Sequence, residues 1–345
     1  MKQTLFSRIR NLGTVAVVGM GKNTGKTTTI NYLLDSAARE GLRVGLTSTG
    51  RDGEVLDVVS NLPKPSIQLP TGSVLATSRD SLNRVGAGLE ILENTGVTNP
   101  LGEIVIASVR RAGTVEVSGP ERTADLRQIV AALAKRADLV LVDGALDRRA
   151  ASAPALSRAT VLATGAAVAN TPHVVAAVTA HQVELLTLPK ADCPSLLAES
   201  VQNGEVAVWG ADGLKVLPLS TAVDGPAEVL DFITGPEITL GLGGALADEL
   251  LELLVEPARR YKGLQIVVRD GTCLFVSAAV WQRFRRAGGE VRVLSPIHLA
   301  AITVNPVDPR GRQFPIGELE AMLQQLLEDI PVFNPVAGGG AGNLV

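Results

Sequence analysis

Short apolar runs alternate with stretches of helical periodicity along most of this chain. Residues 14–18 form a β-branched apolar run and residues 30–38 an amphipathic stretch, which predict a first strand and a first helix. Residues 122–136 place apolar side chains at helical spacing and lead into the apolar run 137–144, which predicts a covering helix and a buried strand. This alternation is typical of an α/β fold with a mostly parallel, doubly wound sheet.

The pattern changes between these two pairs of elements. Residues 66–120 carry short apolar runs separated by proline, glycine and asparagine, with weak helical periodicity only at 88–94, which predicts a β-rich excursion. A short strand is expected before it, at 43–47. The later chain resumes the alternation, with strands expected at 160–169, 183–188, 264–268, 291–294 and 300–304, helices at 173–181, 245–260 and 278–287, and short strands within 204–240.

A glycine-rich segment separates the first predicted strand from the first predicted helix. Residues 19–28 are Gly-Met-Gly-Lys-Asn-Thr-Gly-Lys-Thr-Thr. Strand, glycine loop and helix in this order are typical of a P-loop, because glycines let successive backbone N–H groups point at one anion and the helix N-terminus adds partial positive charge. The usual pattern has a glycine at the position of Met20, so an ordinary glycine-rich turn is the alternative.

The same segment supplies the residue types that a magnesium triphosphate requires. Lys26 is expected to contact the β- and γ-phosphates, and the Thr27 hydroxyl to bind Mg²⁺. The predicted nucleotide-binding residues of this segment are Gly21, Lys22, Asn23, Thr24, Gly25, Lys26, Thr27 and Thr28.

Three carboxylates follow predicted strands and are candidates for the same site. Asp143 ends a buried apolar strand, where a carboxylate would bind Mg²⁺ directly or through water. Asp52 and Glu54 follow the second strand, at the edge of a doubly wound sheet where ligands bind. We assign Asp52 a catalytic role in orienting the attacking water and Glu54 a role at the metal; a solvated polar turn is the alternative.

A late strand runs into Asn305-Pro306-Val307-Asp308. Many GTPases read guanine with Asn-Lys-x-Asp at such a place, which makes Asn305 and Asp308 candidates for binding the base. Proline replaces the lysine here, so a proline-containing turn is the alternative. ATP is therefore favoured slightly over GTP.

These patterns suggest how the chain is organised. Residues 1–190 are expected to form a P-loop nucleotide-binding region, with the β-rich excursion at about 66–120. Residues 191–240 are expected to form a small inserted segment, and 241–335 a C-terminal α/β region that continues the same sheet or an attached one. The glycine-rich residues 336–345 are expected to form a flexible tail.

Composition excludes several other classes of function. The 345 residues are 46% hydrophobic with a formal net charge of −3, which gives no electrostatic reason to expect nucleic acid or an anionic membrane as partner. The two cysteines and three histidines are isolated in sequence and show no zinc or nucleophile motif. No run approaches the roughly 18 apolar residues of a membrane helix, and a cytoplasmic location is expected.

Residues 21–29, 46–54 and 303–306 together carry a resemblance to a known family. In these segments the chain resembles the P-loop subunit of the reactivating factor associated with lysine 5,6-aminomutase, and the likeness extends over most of the chain. The resemblance implies a nucleotide-driven helper that acts with a second, MutS-related ATPase subunit. Its client would be an adenosylcobalamin-dependent mutase, which would open and release its damaged cobalamin.

A second resemblance leaves another function open. Residues 23–29 are similar to the Thr-Asn-Gly-Lys-Thr-Thr-Thr loop of Mur ligases, with asparagine and threonine in reversed order, which implies an ATP-dependent ligase or kinase acting on a small molecule. A nucleotide-binding scaffold that does not hydrolyse is a third possibility. Because no clear water-orienting residue or arginine finger follows the loop in sequence, NTP hydrolysis is expected to be slow without a partner.

Overall fold

A computed structural model describes residues 4–52, 66–82, 86–145, 153–223, 225–235, 238–261 and 263–336. The chain divides into two compact units. The first unit comprises Met1–Ala180 and His298–Val345, and the second comprises His181–Ile297.

The strands are numbered in chain order. Those that precede the second unit are β1 (Thr14–Gly19), β2 (Val44–Ser48), β3 (Arg51–Asp52), β4 (Ile67–Leu69), β5 (Val74–Ser78), β6 (Gly88–Asn99), β7 (Gly102–Arg111), β8 (Gly113–Val115), β9 (Val117–Ser118), β10 (Leu139–Ala145) and β11 (Ala159–Gly165). The second unit contains β12 (Val206–Gly210), β13 (Gly213–Val216), β14 (Thr239–Leu242), β15 (Leu246–Ala247), β16 (Gln265–Val268), β17 (Leu274–Phe275) and β18 (Glu290–Val293). The chain then returns to the first unit with β19 (Leu299–Asn305) and β20 (Val332–Phe333).

The helices follow the same numbering. They are α1 (Leu5–Ile9), α2 (Lys26–Arg39), α3 (Arg79–Leu82), α4 (Thr123–Ala134), α5 (Pro172–Leu186), α6 (Ser195–Gln202), α7 (Pro226–Leu230), α8 (Asp248–Leu253), α9 (Val255–Arg260), α10 (Ala278–Arg286) and α11 (Glu318–Leu326). A 3₁₀ turn covers Gly271–Cys273.

A nine-stranded sheet organises the first unit. Its strand order is β20-β19-β11-β1-β10-β2-β5-β7-β6. All neighbours from β20 to β5 pair in parallel, whereas β7 pairs antiparallel with both β5 and β6. The sequence-based prediction of an α/β fold with a large, mostly parallel sheet is therefore confirmed.

Both faces of this sheet are covered, which explains the continuous apolar runs of its central strands. Residues 15–18 of β1 are at most 1% exposed. On one face, Val15 and Val17 belong to the same core cluster as Ile30 and Leu33 of α2. On the other, Ala16 and Val18 cluster with α4 through side chains that include Leu126, Ile129 and Leu133. Parallel strands buried on both faces are typical of such layered folds.

The region 66–120 is rich in strands, and these include the segment with weak helical periodicity. The weak helical periodicity at 88–94 belongs to β6, which forms a long antiparallel hairpin with β7. Most β6 side chains are exposed or half-buried. Because the strand buries neither face, its sequence lacks the apolar alternation that would have marked it. Two-stranded pairs β3-β9 and β4-β8 complete this region.

The second unit has its own sheet and core. The strand order is β13-β12-β14-β16-β18, with antiparallel pairing at β13-β12-β14 and parallel pairing from β14 to β18. Its core includes the fully buried Trp281 and Phe284 of α10. Strand β14 spans residue 240 and pairs with β12, which precedes it, so residues 191–240 and 241–297 share one sheet.

Two further elements differ from the sequence-based expectation. Residues 183–188 do not form a strand, because α5 continues to Leu186, and a short apolar run cannot by itself distinguish the two states. The single helix expected at 245–260 is instead β15, α8 and α9. Pro257 has no N–H to donate to the preceding turn, so it lies in the first turn of a new helix, where that hydrogen bond is not required.

Candidate functional site

The candidate site lies at the carboxyl end of β1, at the centre of the large sheet. Strand β1 has β10 on one side and β11 on the other. From β1 the chain first runs to β2, on the β10 side, and later enters β11 on the opposite side. The order of strands therefore reverses at β1, and ligands in open α/β sheets bind at such a reversal point.

The glycine loop, residues 19–25, joins β1 to α2. Gly25 is the N-cap of α2 with φ of 95°, and Asn23, with φ of 61°, is the one non-glycine residue of the described chain in the left-handed region. Thr24 is 1% exposed and donates its hydroxyl to the Gly21 carbonyl at 3.0 Å. Helix α2 has no side-chain cap at this end, and a helix N-terminus is a favourable place for an anion.

Gly19 explains how the loop tolerates Met20 at the usual glycine position. A Cβ on Gly19 would lie 2.6 Å from Thr24 Oγ1 and 2.7 Å from Lys26 Cγ. The loop therefore folds back over the last residue of β1, and the stem of Lys26 crosses it. The close approach that requires glycine occurs one residue earlier than in the common pattern.

Strand β19 packs against the loop from the β11 side. A Cβ on Gly25 would lie 2.8 Å from Asn305 Cβ, and Asn305 Nδ2 donates to the Asn23 carbonyl at 3.4 Å. One turn into α2, the buried hydroxyls of Thr29 and Thr303 lie 2.8 Å apart. Asn305 thus contacts the glycine loop, and its predicted role at the base stays a prediction.

Lys26 and Asp143 form the charged pair of the site. The Lys26 ammonium lies 3.6 Å from Asp143 Oδ1, and the two side chains are 16% and 7% exposed. Asp143 is on β10 and Lys26 is the first residue of α2, so two elements far apart in sequence bring these charges together. Lys26 keeps enough exposure to reach a ligand at the loop.

Asp143 and the predicted metal ligand Thr27 carry oxygen atoms, the type of ligand that Mg²⁺ prefers. The described residues contain no group of three or more His, Cys, Asp or Glu side chains that could hold a metal ion. One carboxylate and a hydroxyl such as Thr27 suit Mg²⁺, because this ion keeps several waters and takes further oxygens from substrate phosphates.

Sequence reasoning missed Ser48, the last residue of β2. Ser48 is the register partner of Asp143, and its hydroxyl is fully buried without a hydrogen-bond partner among the described residues. Its position at the end of a strand was the available signal, but only the strand pairing shows which carboxylate it lies beside.

Asp308 is held within its own loop. Its Oδ1 accepts from the backbone N–H of Arg310 at 2.8 Å and of Arg312 at 2.9 Å, and its Oδ2 lies 2.8 Å from Arg312 Nη2. The side chain is 6% exposed. These contacts occupy the carboxylate in stabilising a turn, which favours the turn interpretation over contact with a base.

The remaining predicted site residues differ in burial and in whether the structure describes their side chains. Gly21 and Lys22 are exposed, and Thr28 is half-buried. Asp52 pairs through its backbone with Val117. The Asp52 side chain and the whole of Glu54 lie outside the described residues, so their roles at the water and the metal stay predictions.

A cavity of about 390 Å³ lies beside this edge of the sheet. It is lined by Thr49, Gly50, Pro120, Glu121, Arg122, Thr123 and Leu126. Thr49 also donates its backbone N–H to the Asp143 carbonyl at 2.9 Å. The cavity therefore begins at the Asp143 backbone, where α4 lines it on the face of the sheet opposite Lys26, and it has space for a small molecule.

The remaining ionisable candidates do not suggest another site. Burial and the neighbouring Asp192 carboxylate raise the pKa of Cys193 above its ordinary value, so its thiol stays neutral near pH 7. Cys273 is buried.

None of the helices in the described ranges has both the length and the apolar character needed to cross a bilayer. No protein-family model matches the chain, and no curated protein or solved structure matches it significantly.

Proposed function

We propose that this chain is a P-loop nucleotide-binding protein that holds a magnesium nucleoside triphosphate, with ATP favoured over GTP. The observation that carries the proposal is the position of Lys26. It lies at the junction of a glycine loop and a helix, 3.6 Å from the strand-end carboxylate of Asp143. A lysine and a carboxylate near the carboxyl end of a parallel strand, at the point where the strand order reverses, are groups that bind phosphate and Mg²⁺.

The charged pair suggests how the site responds to its ligand. Without ligand, Lys26 and Asp143 neutralise each other in a half-buried setting. With a triphosphate present, Lys26 turns toward the phosphate oxygens, the N–H groups of residues 23–28 surround the anion, and Asp143 and Thr27 face Mg²⁺. The bound ion supplies charge neutralisation at the phosphates. Asp52 is the proposed residue for orienting the attacking water.

We further propose that triphosphate hydrolysis serves a partner. The resemblance to the reactivating factor of lysine 5,6-aminomutase supports a helper that acts with a MutS-related ATPase subunit on a cobalamin-dependent mutase. The second unit has its own sheet and core. A helper of this kind could bind its client protein through that unit.

The cavity beside Thr49 favours one alternative function. A ligase or kinase needs space for an acceptor next to the γ-phosphate, and this cavity begins one residue from the strand end that pairs with Asp143. The two functions differ in their products. Phosphate release without any acceptor supports the helper, whereas turnover that requires an added amine or carboxylate supports the ligase or kinase.

Calorimetric titration with MgATP tests the proposed site. Lys26→Ala is expected to weaken binding at least tenfold, because a charge-assisted contact to phosphate is lost. Lys135→Ala removes an exposed lysine at the end of α4 and is the matched control, expected to bind as the wild type does. Equal affinity of wild type and Lys26→Ala would reject the site.

A further inference from the structure

The Ser48 hydroxyl is buried, and no hydrogen bond within the described chain explains why a polar group lies there. Ser48 is 0% exposed, and its Oγ has no hydrogen-bond partner among the described residues. Buried polar groups are nearly always hydrogen-bonded, because a hydroxyl removed from water without a partner is destabilising. A buried hydroxyl without a partner at a strand end suggests that its hydrogen-bond partner is present only when a ligand is bound.

The sheet register places this hydroxyl next to Asp143. Ser48 and Asp143 are partners in the parallel pair β2-β10, so their side chains leave the same face of the sheet, about 5 Å apart. Leu46 and Leu141, two residues earlier on each strand, belong to the core cluster that α2 covers. Ser48 therefore faces the side of the sheet on which Lys26 begins α2.

The backbone around Ser48 is closely packed against Gly119. A Cβ on Gly119 would lie 1.7 Å from the Ser48 carbonyl oxygen, so only glycine can occupy that position. Gly50 is held to the same segment by hydrogen bonds with Gly119 and Pro120. The backbone at Ser48 is thus held by close packing, whereas its hydroxyl has no hydrogen-bond partner among the described residues.

We propose that Ser48 is a positioning residue for the magnesium ion, and this rests on the proposed function. Its hydroxyl hydrogen-bonds a water of the ion that Asp143 and Thr27 would hold. Mg²⁺ in proteins keeps several waters, and groups that orient those waters affect metal affinity. The Ser48 hydroxyl would then have a hydrogen-bond partner only when Mg²⁺ and triphosphate are bound.

Thr47 offers a matched control in the neighbouring position. Its hydroxyl is also fully buried and without a partner in the described residues. Because side chains alternate along a strand, it lies on the opposite face, where Val142 is its register partner and α4 covers the sheet. Thr47→Val and Ser48→Ala therefore remove equivalent hydroxyls from opposite faces.

The experiment measures Mg²⁺ dependence and stability together. With fluorescently labelled ATP as probe, Ser48→Ala is expected to raise the half-saturating Mg²⁺ concentration about three- to tenfold, the effect of losing one hydrogen bond. Probe affinity in EDTA should stay unchanged. The ligand-free variant should melt at the same or a higher temperature than the wild type, since an unsatisfied polar group is gone.

The outcomes separate this inference from the proposed function. An unchanged Mg²⁺ requirement in Ser48→Ala, or an equal increase in Thr47→Val, overturns the role of Ser48 while leaving the nucleotide site intact. A lower melting temperature of ligand-free Ser48→Ala, with the Mg²⁺ requirement unaltered, shows a structural hydroxyl and also overturns it. A wild-type protein that binds no labelled ATP overturns the proposed function, and the role of Ser48 with it.

Discussion

Gly25 combines two separate constraints at one residue. Its φ of 95° is unfavourable for residues with a Cβ, and a Cβ there would lie 2.8 Å from Asn305 Cβ. Gly41 has a similar φ of 72° but open space around it. Comparing substitutions at Gly25 and Gly41 therefore separates the free-energy cost of the backbone conformation from that of the contact with Asn305.

We therefore expect Gly25→Ala to be more damaging than Gly41→Ala. Gly41→Ala should lower the free energy of unfolding by about 1–2 kcal/mol, the cost of a left-handed conformation with a Cβ. Gly25→Ala should cost more, because β19 must also move, and it should weaken triphosphate binding. Urea denaturation and titration with labelled ATP measure both effects. Equal stability losses would show that the Asn305 contact relaxes freely.

Asp308 is the residue at which geometry and motif point to different roles. Its carboxylate accepts two backbone N–H groups and pairs with Arg312. We expect Asp308→Ala to lower the free energy of unfolding by about 1–3 kcal/mol, since two half-buried backbone N–H groups and the Arg312 guanidinium lose their partner. The ratio of ATP to GTP affinity should not change.

A base-reading role for Asp308 predicts a different result. Asp308→Asn would then shift preference toward xanthine nucleotides, because an amide can pair with the altered base edge. Competition binding with the triphosphates of adenosine, guanosine and xanthosine distinguishes the two roles. A gain of xanthosine triphosphate binding would contradict the turn interpretation.

At the scale of elements, a hydroxyl pair links α2 to β19. Thr29 and Thr303 are at most 1% exposed, and their hydroxyls lie 2.8 Å apart. Thr29→Val or Thr303→Val alone should cost about 1–3 kcal/mol of unfolding free energy, because each leaves the other hydroxyl buried without its partner.

The double variant should recover much of that loss. With both hydroxyls replaced by methyl groups of similar volume, no polar group is left unsatisfied in this contact. A double-mutant cycle from urea denaturation measures the coupling. Purely additive losses would mean that the two hydroxyls do not depend on each other, and that β19 is held to the loop chiefly through Asn305.

Element prediction from sequence succeeded where an element buries at least one face. Strands β1 and β10 were predictable because both of their faces are apolar, and α4 because its apolar stripe covers the sheet. Strand β6 exposes both faces, and its state is decided by hydrogen bonds to β7, which no local pattern encodes. The end of α5 was mistaken for a strand because a short apolar run fits both states.

At the scale of the whole molecule, the two units have separate cores, so we expect a ligand to change the stability of each unit by a different amount. Both tryptophans of the chain, Trp209 and Trp281, lie in the second unit. Tryptophan fluorescence therefore reports unfolding of that unit alone, whereas calorimetry reports both. The proposed nucleotide site lies in the first unit.

We expect MgATP to stabilise the two units unequally. At about one hundred times its dissociation constant, a ligand adds about 2.7 kcal/mol to the unit that binds it. The calorimetric transition of the first unit should move upward, and the fluorescence midpoint should move less. MgADP at matched saturation provides a comparison for the γ-phosphate. An equal shift of both signals would show that the units unfold as one.

The sequence by itself determined the alternating α/β architecture of the first unit and the loop that carries Lys26. Both depend on local information, since apolar periodicity reports burial and glycine at a strand-to-helix turn reports backbone geometry. Only the tertiary structure decided which side chains meet. The ion pair of Lys26 with Asp143, the register pairing of Ser48 with Asp143 and the close approach of Gly25 to Asn305 all join residues distant in sequence. Strand order and register set these contacts, and both arise from long-range pairing that no local pattern specifies.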